Sequence, residues 1–147
     1  MKLKDVMTTD VECCEPSASA AEIAGKMRDQ NVGSIPVCEN EKLLGLVSDR
    51  DIVIRCVAEN AIDASAEHVM STEMVTGHSD MSAEEASDLM AKHQIRRLPI
   101  VEDGRLAGMV ALGDLSVTNA ADEKAGLSSE EERFALPFYW CNLFSCK

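Results

Sequence analysis

The sequence predicts an α+β fold in which two similar β-α-β-β-α units pack together as one folding unit. The chain of 147 residues matches itself without a gap at a shift of 63 positions, and both copies carry a capped helix followed by two short strands. A unit of about 60 residues buries too little apolar surface to be very stable alone. We therefore expect the two copies to pack sheet to sheet around a pseudo-twofold axis.

The internal repeat aligns caps, turns and apolar positions in one register. The shift of 63 residues superposes these segments: Val6-Met7-Thr8-Thr9 on Val69-Met70-Ser71-Thr72, Ser19-Ala20-Ala21-Glu22 on Ser82-Ala83-Glu84-Glu85, Ile35-Pro36-Val37 on Leu98-Pro99-Ile100, and Gly45-Leu46-Val47 on Gly108-Met109-Val110. Matched proline, glycine and capping positions at one offset favour duplication over coincidence. The pattern predicts repeats at residues 1–58 and 68–121, a link at 59–67 and a tail at 122–147.

Each copy begins with a strand and a capped helix. We expect the first strand around Asp10–Cys14 in one copy and around Glu73–Gly77 in the other. Ser19-x-x-Glu22 and its counterpart at residues 82–85 are capping boxes, in which a hydroxyl and a carboxylate each satisfy a free backbone N–H at a helix start. Apolar residues three or four positions apart supply the buried stripe of each helix, and the two helices should end near Asn31 and Gln94.

A hairpin and a second helix complete each copy. The runs Ser34–Cys38 and Arg97–Val101 are rich in β-branched residues and too short for helices, so they predict strands. The proline within each run predicts an edge position or a strand start, because proline cannot donate to a ladder. Polar turns lead into second strands at Leu43–Ser48 and Leu106–Ala111, which indicates hairpins. The following helices have these expected apolar positions: Ile52, Val53 and Val57 in one copy and Leu115 in the other.

Charge and hydropathy narrow the classes of partner. With 26 acidic and 14 basic residues the net charge is −12, so the average surface repels nucleic-acid phosphates and anionic lipid headgroups. No stretch approaches the roughly 18 apolar residues of a membrane span. We therefore expect a cytoplasmic protein without a nucleic-acid or membrane partner. The six cysteines form no Cys-x-x-Cys pair and are interpreted as small buried apolar side chains rather than as a metal site or redox pair.

The sequence offers little support for catalysis or metal binding. The three histidines show no ligand spacing, and the sequence has no phosphate-binding glycine loop, dinucleotide fingerprint or nucleophile elbow. Cys13-Cys14 would need a partner histidine to act as a nucleophile. We therefore expect a protein that is not an enzyme, with no catalytic residue and no metal.

Ser48 and Asp51, at a strand-to-helix junction, have two interpretations. As a capping box, the pair satisfies backbone N–H groups and favours the helix dipole without any ligand. As a diol clamp, a hydroxyl and a carboxylate one helical turn apart match the 2′- and 3′-hydroxyls of a ribose, while free N–H groups nearby suit a phosphate. The spacing alone favours the cap.

Together these features resemble a known family. Val6-Met7-Thr8, a capped helix ending in Met27, the Ile35-Pro36-Val37 strand and Gly45-Leu46-Val47-Ser48-x-x-Asp51, followed by a second copy, are similar to a tandem CBS domain pair, or Bateman module, named for cystathionine β-synthase. The resemblance covers about residues 1–120. It implies two β-α-β-β-α units joined through their sheets, a flat homodimer, and adenosine-type ligands in clefts between the repeats.

The resemblance also assigns roles to individual residues. In the family, the Ser/Thr-x-x-Asp motif holds the ribose, which carries over onto Ser48 and Asp51 and, in the second copy, onto Asp114, where Ala111 lacks the hydroxyl. Basic residues before the Leu-Pro strand reach phosphates in the family, and the residues here are Arg96 and Arg97, whose alternative role is to pair with acidic side chains on the preceding helix. Because the ribose motif is complete only in the first copy and the arginine pair occurs only in the second, one site built across the interface would hold the ribose on Asp51 and the phosphate near Arg96 or Arg97. The implied base-pocket residues, which are also ordinary core types, are Val11, Ile35 and Val37.

The resemblance implies a stand-alone regulatory protein that requires no cofactor. Its expected regulatory ligand is an adenine nucleotide (AMP, ADP or ATP) or S-adenosylmethionine, and its output is a change of conformation or assembly that acts on an unidentified target protein. The rival interpretation is a ligand-free module for oligomerisation or protein docking. All five aromatic residues fall in the tail, which either docks on a hydrophobic surface or has no role: Phe134, Phe138, Tyr139, Trp140 and Phe144.

Overall fold

The computed structural model describes residues 1–116 of the chain. After a 3₁₀ turn at Leu3–Asp5, the first repeat forms these elements: α1 (Ala20–Gln30), β1 (Ser34–Glu39), β2 (Lys42–Ser48) and α2 (Asp49–Ile52), which continues into a π-helical turn at Val53–Val57. The second repeat forms these: α3 (Ala66–Val69), α4 (Ala83–His93), β3 (Arg97–Glu102) and β4 (Arg105–Ala111), with residues 112–116 again helical. The predicted α+β class is confirmed, and the predicted aromatic tail lies outside the described residues.

The four strands form one antiparallel sheet in the order β1-β2-β4-β3. Each hairpin turns on two residues with positive φ, as in a type I′ turn: Asn40 and Glu41 in one copy, Asp103 and Gly104 in the other. The two hairpins meet beside these turns, where Lys42 of β2 pairs with Arg105 of β4. Pro36 and Pro99 therefore lie in β1 and β3, the two edge strands, as their missing N–H groups predict.

The long helices begin and end where the sequence predicts. Ser19 accepts a hydrogen bond from the Glu22 N–H and Ser82 accepts one from the Glu85 N–H, and both acids bond back to the capping N–H. The last turns close on Asn31 and its counterpart at position 94, both in the left-handed conformation that caps a helix C-terminus.

The predicted first strands are much shorter than expected. Cys14 makes a single parallel bridge to Val37, in which its N–H donates to the Pro36 carbonyl and its carbonyl accepts from the Cys38 N–H. Gly77 makes the equivalent bridge to Ile100. The next bond of either parallel ladder would need the N–H of the proline on the edge strand, and proline has none. The predictions of strands over residues 10–14 and 73–77 were therefore wrong in length.

The apolar positions predicted for the second helices are confirmed at Ile52 and Leu115 and wrong at Val53 and Val57. Cys56 is buried and Ile52 packs against the core, whereas Val53 and Val57 are 57% and 56% exposed. The helix widens into a π turn in which the Ala58 N–H bonds to the Val53 carbonyl. This wider turn has more residues per revolution than an α-helix, so it carries Val53 and Val57 away from the core.

The repeats exchange their N-terminal segments. Leu3 is fully buried in the core of the second repeat, and Ala66 and Val69 are fully buried in the core of the first. The bridges that fix this exchange occur in pairs related by 63 residues: Lys2 with Ser82 and Ser19 with Ser65, then Thr8 with Met109 and Leu46 with Ser71. Neither repeat completes its core alone, and the paired bridges follow a pseudo-twofold relation.

Within residues 1–116, no helix is both long enough and apolar enough to cross a membrane.

Candidate functional site

A cavity of about 150 Å³ lies where the exchanged N-terminal segment of the first repeat meets both repeats. Val11 comes from that segment and Ile35 from β1, whereas Arg97 begins β3 and Asp114 lies in the helical segment 112–116. The cavity therefore brings together residues from the predicted base pocket, the predicted phosphate site and the predicted ribose site of the second copy.

The carboxylate of Asp114 is held at the start of a helical segment. Its Oδ2 atom accepts a hydrogen bond from the Ala111 N–H at 3.0 Å. Ala111 also lines the cavity but has no hydroxyl to return the bond. The acidic half of the ribose motif is thus present in this cavity without its hydroxyl half, as the sequence indicates.

Ser48 and Asp51 form the complete version of the same arrangement. The Ser48 Oγ accepts from the Asp51 N–H at 3.1 Å, and the Asp51 Oδ2 accepts from the Ser48 N–H at 2.9 Å. Neither residue lines the 150 Å³ cavity. The capping interpretation of this pair is confirmed, and its role as a ribose clamp stays a prediction. Asp51 also lies near Arg55, with 3.9 Å between Oδ1 and Nε.

The two predicted phosphate ligands are in different surroundings. Arg97 is partly buried and lines the cavity, whereas Arg96 is exposed and offers its backbone carbonyl to the Leu112 N–H. Among residues 1–116, neither guanidinium forms an ion pair with the acidic residues of α4, which was the alternative role. The cavity does not bring Asp51 together with Arg97. The carboxylate that lines it, at the start of a helical segment, is that of Asp114.

Two of the three predicted base-pocket residues line the cavity, and the third packs in the core of the first repeat. Val11 is partly exposed and lines the cavity, and Ile35, although only 1% exposed, lies at its inner wall. Val37 is fully buried in the core of the first repeat and is absent from the lining. Val37 lies on the same face of β1 as Ile35, but its side chain packs in the core of the first repeat rather than against the cavity.

Several polar residues of the cavity were missed by the sequence reasoning. They are Thr8, Asp10, Glu12, Gln30 and Ser34. The Glu12 carboxylate is paired with the Lys26 ammonium at 3.0 Å, and the Ser34 Oγ is buried without a hydrogen-bond partner. Ser34 occupies the position that Arg97 has in the other copy, so the internal repeat carried a signal for it. Thr8, Asp10 and Glu12 lie in the exchanged N-terminal segment and Gln30 ends α1, and how these two elements meet in space is not revealed by the repeat.

No group of three or more metal-ligating side chains occurs within residues 1–116.

Comparison with known proteins decides the family. The sequence profile described as "CBS domain" matches residues 3–57 and 66–117, one match to each copy of the repeat. The chain belongs to the CBS domain family. The two matches make it a CBS pair, in agreement with the resemblance seen in its sequence.

Relatives and solved structures share this organisation. The CBS domain-containing protein YhcV of Bacillus subtilis is 49% identical over 125 residues, which are 84% of this chain and 89% of that relative. The crystal structure of the CBS domain pair of protein MJ0100, in complex with 5′-methylthioadenosine and S-adenosyl-L-methionine, is 25% identical with a TM-score of 0.74, and the match covers 81% of this chain and 99% of that one. The crystal structure of CBSX2 in complex with AMP is 24% identical with a TM-score of 0.73, over 84% and 98% of the two chains, and this likeness shows the fold alone.

Proposed function

We propose that this CBS pair is a stand-alone regulatory module that binds an adenosyl ligand between its repeats and signals by a change of conformation or assembly. The observation that carries the proposal is the convergence of Val11, Ile35, Arg97 and Asp114 on one cavity. Apolar side chains suit a base, a carboxylate suits ribose hydroxyls, and a guanidinium suits a phosphate or carboxylate. The ligand-bound structure of MJ0100 supports the adenosyl class.

The hydrogen bonds already made in the site are compatible with a ligand. The Asp114 carboxylate accepts a hydrogen bond from the Ala111 N–H, and an ionised carboxylate can accept several hydrogen bonds at once. Ribose hydroxyls would donate to the same carboxylate. Ser48 and Asp51 would provide the equivalent clamp in a second cleft, with Arg96 as a further candidate for the phosphate.

The size of the cavity suggests how binding changes the protein. Ligand pockets usually measure about 300–1,000 Å³, whereas this cavity measures about 150 Å³. A nucleoside would therefore bind better to an arrangement in which the repeats are further apart. Binding then shifts the population towards the wider arrangement, by as much as the affinities for the two states differ.

Thermal unfolding of the full chain tests the proposal. The melting temperature is measured with AMP, ATP and S-adenosylmethionine at millimolar concentration, for the wild type and for Asp114→Asn, Asp51→Asn and Asp88→Asn. A ligand at about 100 times its dissociation constant adds roughly 2.7 kcal/mol of stability, or several degrees for a domain of this size. Asp88 is exposed and does not line the cavity, so its variant is the matched control.

The variants distinguish two clefts. A shift that is lost in Asp114→Asn and kept in Asp88→Asn supports the described cavity. Loss in Asp51→Asn alone would move the site to the cleft of the first copy. If no ligand shifts the wild type, adenosyl binding is refuted and the docking module becomes the better account.

A second candidate function, docking or self-assembly, is favoured by one surface. Val53, Ile54 and Val57 are each about half exposed on the π-helical turn, and clustered exposed apolar residues often mark interfaces. We propose that a second copy of the chain covers them in a homodimer. Sedimentation velocity should give twice the chain mass for the wild type and the single-chain mass for Ile54→Glu, and a monomeric wild type would contradict the dimer.

A further inference from the structure

Two cysteines far apart in the sequence meet at the wall of a second cavity. Cys13 lies at the end of the exchanged N-terminal segment and Cys38 in β1, just after the register irregularity between Val37 and Cys38. Both line a cavity of about 550 Å³, which Glu41 and Arg105 also line. The interpretation of the cysteines as buried side chains holds for Cys38, which is 8% exposed, but not for Cys13, which is partly exposed.

The two sulfur atoms are already in contact. The Cys38 thiol donates to the Cys13 Sγ across 3.1 Å, and a disulfide bond requires about 2.05 Å. The approach of about 1 Å is small because the backbones are fixed beside each other by the bridge between Cys14 and Val37. Cys14 itself is 4% exposed and belongs to the core of the first repeat, so it does not share the position of Cys13.

The surroundings of Cys13 favour its thiolate. The hydrogen bond from Cys38 lowers the pKa of Cys13 to about 7, and the positive charge of Lys26 acts in the same direction. The Lys26 ammonium lies 3.2 Å from the Cys13 carbonyl oxygen. Burial raises the pKa of Cys14 to about 11, and the contact with Cys13 raises that of Cys38. Cys13 is thus the nucleophile among these three cysteines, because thiolates rather than thiols react.

We propose that Cys13 and Cys38 form a reversible disulfide, with Cys13 as the peroxide-reactive thiol and Cys38 as the resolving thiol. The Cys13 thiolate attacks a peroxide oxygen, the O–O bond breaks, and a sulfenic acid and one water form after the leaving hydroxide takes a proton. The Cys38 sulfur then attacks the Cys13 sulfur and expels hydroxide, which takes the Cys38 proton and leaves as the second water. The two thiols lose two electrons and two protons in all, and the peroxide is reduced to two waters.

The disulfide would fix one wall of the candidate ligand site. Val11, two residues before Cys13, lines both the 550 Å³ cavity and the 150 Å³ cavity. A bond between Cys13 and Cys38 ties this segment to β1, which also carries Ile35. The dithiol itself does not depend on an adenosyl ligand, so its test is independent of the proposed function.

Peptide mapping of the full chain tests the proposal. The reduced, desalted protein is treated with one mole of hydrogen peroxide per mole of chain. It is then alkylated without reduction and digested with trypsin. We expect the peptide 5–26 linked to the peptide 29–42, with the loss of two hydrogens and full reversal by dithiothreitol. Before oxidation, iodoacetamide at neutral pH should label Cys13 about ten times faster than Cys14, Cys38 or Cys56.

Matched variants identify the sulfur atoms. Because Cys13 and Cys14 lie in the same tryptic peptide, Cys14→Ser is the control and should form the linked peptide as the wild type does, whereas Cys13→Ser and Cys38→Ser should not. Circular dichroism checks that each variant is folded, and Cys14→Ala or Cys38→Ala serves where a serine at either buried position disturbs the core. Free thiols at positions 13 and 38 after peroxide treatment would overturn the proposal, as would a link that survives in Cys13→Ser or that joins Cys13 to Cys141 or Cys146.

Discussion

Replacement of Gly108 by alanine tests the exchange of segments between the repeats. Gly108 lies in β4 where the N-terminal segment of the first repeat crosses it. A Cβ atom there would lie 2.8 Å from the Thr8 carbonyl oxygen and 2.9 Å from the Met7 Sδ. The methionine side chain can move aside, but the Thr8 backbone is held by two hydrogen bonds of 2.9 Å with Met109. Gly108→Ala must therefore push the segment off the strand.

The expected cost follows from three contributions. Overpacking costs about 1–3 kcal/mol, and weakening two backbone hydrogen bonds costs about 1 kcal/mol more. The lower entropy of an unfolded chain with alanine offsets up to about 1 kcal/mol. The net loss is about 1–3 kcal/mol, a large part of the stability of a domain of this size.

Urea denaturation measures this loss, and another glycine provides the control. The midpoint for Gly108→Ala should fall by about 1 M, for a slope of 1–3 kcal/mol per molar urea. Gly25 lies inside α1, and a Cβ atom there would meet no atom within 4 Å. Gly25→Ala should therefore raise stability by about 0.5–1 kcal/mol. If Gly108→Ala also raised the midpoint, the crossing of Thr8 over β4 would be refuted.

Three further predictions address the core, a cap and the acid limit. Leu3→Ala should lower the free energy of unfolding in urea by about 2–5 kcal/mol, because Leu3 is fully buried in the core of the second repeat. The control is Leu112→Ala, which should cost much less because the Leu112 side chain is 40% exposed. Equal costs for the two variants would argue against the exchanged segment. Ser82→Ala should lose about 1 kcal/mol with its cap, and helix content by circular dichroism should fall rather than stay constant. Hydrogen bonds from two lysines lower the pKa of Asp80, so its contribution is present above the unfolded pKa near 4 and is lost as the pH falls through the lower folded pKa. The difference in urea midpoint between pH 7 and pH 3 should be smaller for Asp80→Asn than for the wild type, and an unchanged difference would contradict this linkage.

Local chemistry explains which elements could be predicted. The capping boxes at Ser19 and Ser82 depend on residues three positions apart, so their hydrogen bonds can be predicted from the sequence alone. The same holds for the hairpin turns and for Ser48 with Asp51, where the cap forms as its spacing predicts. The first strands were overestimated because their length depends on a partner strand, and that partner has a proline where the ladder would continue.

In the candidate site, too, some residues could be predicted from the sequence and others depended on the tertiary structure. The repeat and the family resemblance pointed to Asp114, Arg97, Val11 and Ile35, all of which line one cavity. They also suggested that Asp51 would share a site with Arg97, and the cavity contains Asp114 instead. The choice between two acids that are equivalent in the repeat depends on how the copies are arranged in space, and a one-dimensional pattern is the same for either arrangement.

The sequence by itself determined the duplication, the family, the order of the two long helices and the two hairpins, and the absence of a serine hydroxyl beside Asp114, because each of these depends on residue types at fixed short spacings or on a single offset. The tertiary structure decided what depends on contacts between distant residues. Leu3 enters the core of the other repeat, and Cys13 reaches Cys38 across 25 positions. The Leu3 contact forms only when the two copies close around each other, because neither copy has enough apolar surface to complete a core alone. The Cys13 contact depends on how the first copy folds back onto its own strand β1.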